Sequence, residues 1–86
     1  MTTAFVIQQI NTGKFYGPDG HWHSEYPDAD IFTTTAPAIR AIQEEEVDPG
    51  IPVQIVRDYG MADCSVVYTR RPKQADYLRY LKTKDR

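Results

Sequence analysis

Eighty-six residues, 41% of them hydrophobic and with six Tyr, three Phe and Trp22, can build one small core but not two. The formal net charge of −2 conceals a division: residues 1–63 carry three basic and ten acidic side chains (net −7), and residues 64–86 carry seven basic and two acidic (net +5). One cysteine, Cys64, excludes an internal disulfide framework, and the lack of an apolar run near ~20 residues argues against a membrane span.

The chain opens on Ala4-Phe5-Val6-Ile7-Gln8-Gln9-Ile10, whose β-branched and aromatic content predicts a strand. Asn11-Thr12-Gly13-Lys14 predicts a tight turn and Phe15-Tyr16 the start of a return strand. Gly17-Pro18-Asp19-Gly20 is a second turn, with Pro fixing φ and Gly permitting φ > 0, and His21-Trp22-His23 a short third strand. Ser24 to Asp30 reads as a polar, acidic loop. Thr33-Thr34-Thr35 marks a helix start, where a Thr hydroxyl can accept from a first-turn N–H and Pro37 costs no backbone bond. Ala38, Ile39, Ala41 and Ile42 form its apolar stripe, Glu44-Glu45-Glu46 crowds its C-terminal end, and Asp48-Pro49-Gly50 stops it.

The segment from Pro52 to Arg57 predicts a strand with Val53 and Ile55 on one face and Gln54 and Val56 on the other. Residues 59–63 have the length of a hairpin loop, and Ser65 to Thr69 predicts the partner strand, with Cys64 packing as a small hydrophobe beside Val66 and Val67. Pro72 opens a last helix running to about Thr83, with Tyr77, Leu78 and Leu81 on one stripe and Tyr80 at its margin. The fold class predicted is therefore α+β: a small antiparallel sheet of four to five strands, one packed helix, and a C-terminal tail helix over residues 72–86 of a single domain.

Few groups here suit bond-making chemistry. His21 and His23 alternate on an extended segment and can face one cation, but a third fixed ligand is missing, and two histidines flanking a packed Trp22 explain the pattern as well. Asp28 and Asp30 can pair as carboxylates, although the spacing is common in loops. Phosphate-binding glycine loops, a Ser/His/Asp order and a CxxC pair are absent from the sequence. A protein without catalytic activity, cofactor or bound metal is expected.

The charge division points instead to partners. Asp28, Asp30, Glu44, Glu45 and Glu46 make an acidic surface suited to a basic protein, against the plainer reading of a solvated face that keeps the chain soluble. Arg70, Arg71, Tyr77, Arg79 and Tyr80 mix cations with aromatics, a composition common among interface anchors and equally suited to phosphates and bases. A third reading folds the basic tail against the Glu44–Glu46 face, within one subunit or between two. An unblocked hairpin edge also allows pairing of two copies.

Phe5-Val6-Ile7-Gln8, the turn Asn11-Thr12-Gly13-Lys14-Phe15-Tyr16 and Gly20-His21-Trp22 resemble the opening of short uncharacterised proteins of phages and other mobile elements. The resemblance continues through Ala29-Asp30-Ile31-Phe32-Thr33, the helix carrying Ala38, and Val53-Gln54-Ile55-Val56, covering residues 4–57; Pro37 departs from the acidic residue usual there. It implies a small binding protein that blocks a host protein, including defence nucleases, in the manner of an anti-CRISPR inhibitor. The function expected is thus that of a non-enzymatic protein binding a host protein in the cytoplasm. Its rival is a nucleic-acid-binding module acting through the C-terminal segment.

Overall fold

A computed structural model describes residues 3–44, 46–59 and 64–84, and within it a five-stranded antiparallel sheet carries two helices. The strands are β1 (Phe5–Gln9), β2 (Phe15–Tyr16), β3 (Trp22–His23), β4 (Val53–Arg57) and β5 (Ser65–Arg70), and they lie in the order β3-β2-β1-β4-β5. Helix α1 (Thr35–Gln43) connects the N-terminal meander to the β4–β5 hairpin, and α2 (Gln74–Lys84) follows the sheet. The expected α+β architecture is the one found. Gly13 (φ 75°) and Gly20 (φ 80°) take the left-handed conformations that the two turns of the meander require.

Period-2 alternation places the core. Phe5 and Ile7 of β1 and Val53 and Ile55 of β4 share one face and are covered by Ala38, Ala41 and Ile42 of α1, all buried. Val47 and Ile51 close this cluster from the segment after the helix. On the opposite face Val6, Phe15, Ala29 and Val56 are buried under a 3-10 turn at Tyr26–Asp28, within the segment expected to be loop. The rings of Phe15, Tyr26 and Tyr59 meet there, with Phe15 and Tyr59 edge-on at 4.9 Å and Tyr26 and Tyr59 stacked at 5.4 Å. Farther along that face Gln54 donates to Gln8 across the strand pair at 3.0 Å.

Helix α1 starts at Thr35 with Thr34 in the capping position, but no threonine side chain caps it. It ends at Gln43, before the Asp-Pro-Gly turn expected to stop it, and the intervening segment buries Val47. Strand β5 lies at the sheet edge, and its register against β4 shifts between Ile55 and Val56, so that Val66 pairs with Val56 and Tyr68 with Ile55. Val66 and Val67 are 52% and 40% exposed, and Cys64 beside them is exposed rather than packed.

The last helix corrects the expected stripe. Tyr77 and Leu78 point outward, 37% and 50% exposed, while Tyr80 packs against the main core and Leu81 is half-buried. The docking point is Gly50: a β-carbon there would lie 2.5 Å from Tyr80 Cβ and collide with the carbonyl oxygen of Asp76. Only a residue without a side chain lets the helix come this close. Arg70 fastens the same region, its guanidinium donating to the carbonyls of Val47 (3.3 Å), Asp48 (2.5 Å) and Ile51 (2.6 Å). The first cation of the basic segment thus folds onto the loop that follows the acidic run, within one subunit.

Candidate functional site: an acidic concavity beside Tyr16

Two backbone anchors bring distant carboxylates together. The amide of Asp30 donates to the carbonyl of Tyr16 at 2.9 Å, fixing the end of the acidic loop beside β2. Next to it, Phe5 and Phe32 exchange backbone hydrogen bonds of 2.8 and 2.9 Å, which locks the chain's approach to α1. At the far end of α1 the amide of Glu46 donates to the carbonyl of Ala41 at 3.0 Å. Asp30 and Glu46 then line one concavity of about 570 Å3 with Tyr16, Pro18, Phe32 and Pro37.

Tyr16 stands between the two acids. Its ring meets Trp22 edge-on at 5.6 Å, and its hydroxyl points to the carbonyl of Glu46 at 3.4 Å. Burial, and then the nearby charges of Glu46, Asp30 and Asp19, push the phenol above its ordinary value of 10.0, so it stays a neutral donor. The concavity therefore offers two carboxylates, a phenol and apolar walls from Phe32 and Pro37. That combination suits a cationic side chain whose aliphatic stem lies on the apolar wall and whose head meets the acids.

The other expected acids fall around this site. Asp28 is exposed on the 3-10 turn two residues before Asp30, and Glu44 is exposed at the C-terminal cap of α1; Glu45 lies outside the described residues. Sequence reasoning missed Tyr16, whose signal, an aromatic next to Gly17 in a turn, reads equally as core.

The histidines take a different arrangement from a shared cation site. His23 Nε2 lies 2.9 and 3.1 Å from the two carboxylate oxygens of Asp19, while the His21 amide donates to Asp19 at 3.0 Å. Gly17 admits the His23 ring at a distance that any β-carbon would obstruct. The hydrogen bonds from His23 and the His21 amide hold the Asp19 carboxyl below its ordinary 3.8. Among the described residues, no group of three or more His, Cys, Asp or Glu is placed to hold a metal ion.

The residues expected at the basic surface divide. Arg70 and Tyr80 are turned inward, as carbonyl clamp and core contact, whereas Arg71, Tyr77 and Arg79 are exposed. Arg79 Nη1 lies 3.8 Å from Asp76. Among the described residues, no helix is long and apolar enough to cross a membrane. No family model, curated protein or solved structure matches the chain.

Proposed function

We propose that this chain is a non-enzymatic binding protein that captures a basic segment of another protein in the concavity between Asp30 and Glu46. The observation that carries this reading is that Asp30, before α1, and Glu46, after it, line one concavity with Tyr16, whose neutral phenol both charges reach. An acidic run solvated only for solubility has no need of a recess lined by acids from two separate segments. The resemblance to mobile-element proteins favours, as partner, a host protein with a basic, nucleic-acid-binding surface, where binding would block function as an inhibitor of defence.

The test is a pull-down from host lysate with the intact chain as bait, with and without nuclease, against an Asp30→Lys/Glu46→Lys variant checked for its fold by circular dichroism. A stoichiometric protein that survives nuclease and is lost from the folded variant supports the reading. A partner held equally well by the variant refutes it.

A further inference from the structure

A second recess of opposite chemistry lies where the chain leaves the sheet. Between Arg70 and Gln74 it crosses Arg71-Pro72-Lys73, and a concavity lies on either side of that step. One, of about 260 Å3, has Arg71 and Lys73 on its rim, with Gln43, Tyr68 and Asp76 among its walls. The other, of about 440 Å3, is walled by Pro52, Pro72, Gln74 and Tyr77. Arg71 and Pro72 line both, so the two recesses share a wall.

Their chemistries alternate along that wall. Arg71 and Lys73 are exposed cations on one side, while Tyr77 and two proline rings supply flat apolar surface on the other. Asp76 is a carboxylate on the wall of the smaller recess, 3.8 Å from Arg79 Nη1. Arg79 and Lys82 continue the exposed positive charge along α2. Arg70 also lines the smaller recess, where its guanidinium donates to backbone carbonyls.

An anion followed by a planar ring is the repeat of a polynucleotide. Cations neutralise phosphates, and a tyrosine ring accepts any base whose face is open. A duplex keeps its base faces stacked inside and offers Tyr77 nothing, whereas an acidic peptide satisfies Arg71 and Lys73 but has no ring for the Pro52–Pro72–Tyr77 wall. The net charge of +5 over residues 64–86 matches the ligand, and the net −7 of the remainder disfavours its binding there. We propose that this double recess binds single-stranded nucleic acid, with a phosphate between Arg71 and Lys73 and the adjacent base against Tyr77.

The experiment is fluorescence anisotropy of the intact chain with a labelled twelve-residue oligothymidylate, the matching duplex, and a polyglutamate peptide as competitor, over a range of salt. The proposal expects the single strand to bind more tightly than the duplex. Tyr77→Ala should weaken it about tenfold without changing the salt slope, this being a stacking loss. Arg71→Ala with Lys73→Ala should reduce the log–log salt slope by about 0.7, the amount for the one phosphate no longer neutralised. All three residues are exposed, so the variants keep the fold. Equal binding of duplex, indifference to Tyr77→Ala, displacement by polyglutamate at equal charge, or no binding at low salt would each overturn it. The Asp30→Lys/Glu46→Lys variant should bind the strand at least as well as the parent, which separates this site from the acidic one.

Discussion

Replacing Gly50 with alanine tests whether the C-terminal helix belongs to the body of the protein. A β-carbon at that position would sit 2.5 Å from Tyr80 Cβ, well inside ordinary van der Waals contact beginning at 3.4 Å, and nearer still to the Asp76 carbonyl. That carbonyl is helix backbone, so no rotamer change relieves the clash; α2 must move as a unit. Overpacking of this kind costs about 1–3 kcal/mol. Gly50 does not use a left-handed backbone conformation, so alanine also stabilises by about 0.4–1 kcal/mol through the unfolded chain. The net expectation is a loss of about 0–2.6 kcal/mol, with each kcal/mol lowering Tm by about 4–8 °C in a domain this small. Urea melts measure the loss, and amide hydrogen exchange locates it. Exchange should quicken over Gln74–Lys84 beyond the change seen in β1 and β4. A Gly50→Ala protein as stable as its parent, with unchanged exchange in α2, would refute the docking argument.

Three further outcomes follow from the site geometry. Arg70→Met should cost about 1–3 kcal/mol by urea denaturation, because carbonyls of the Val47–Ile51 turn lose charged donors, and Arg70→Lys should not restore it, since an ammonium lacks the guanidinium fork; full rescue by lysine would contradict the clamp. His23→Ala should return the Asp19 carboxyl toward 3.8 in an NMR titration; because the folded value is depressed, its stabilising contribution is present above 3.8 and is lost as pH falls through the folded value, and an unmoved Asp19 would count against the pair. Asp30→Asn with Glu46→Gln should lower the Tyr16 phenol part of the way back to 10.0, leaving the contributions of burial and Asp19; its raised value gives stability that is complete below pH 10.0 and lost as pH climbs through the folded value, and a phenol that titrates as in the parent would mean the acids do not face it.

Much of the fold is written locally. Val53 and Ile55 alternate with Gln54 and Val56, and that period alone assigns the two faces of β4 that the core then uses. Turn chemistry at Gly13 and Gly20 likewise fixes the meander. The orientation of α2 is not written that way. Tyr77, Leu78 and Leu81 fall at helical spacing and look like the buried stripe, yet the contact that decides is made by Gly50, a residue with no hydropathy to display. Val47 hides in the same manner, a single apolar residue beside an acidic run, buried because the chain turns back under α1. Val66 and Val67, with Cys64 just before them, show the opposite error: their apolar character reflects a β-strand, but they point to opposite faces of an edge strand and both are exposed. The acidic concavity exists only through backbone bonds that seat Asp30 and Glu46 on separate elements, so composition could name its acids but not join them.

The strand order has a consequence for how the chain comes into being. β1 is the middle strand, and its cross-strand partner lies 46 residues later, as the Gln8–Gln54 pair shows. A nascent chain therefore makes its meander first, with one edge of β1 open until Val53–Arg57 arrives to pair with it. Non-local pairings of this kind form slowly, and an unpaired edge backed by Phe5 and Ile7 is a template for other chains in the meantime. Synthesis, rather than the finished state, is the interval in which this small protein is most open to misassembly.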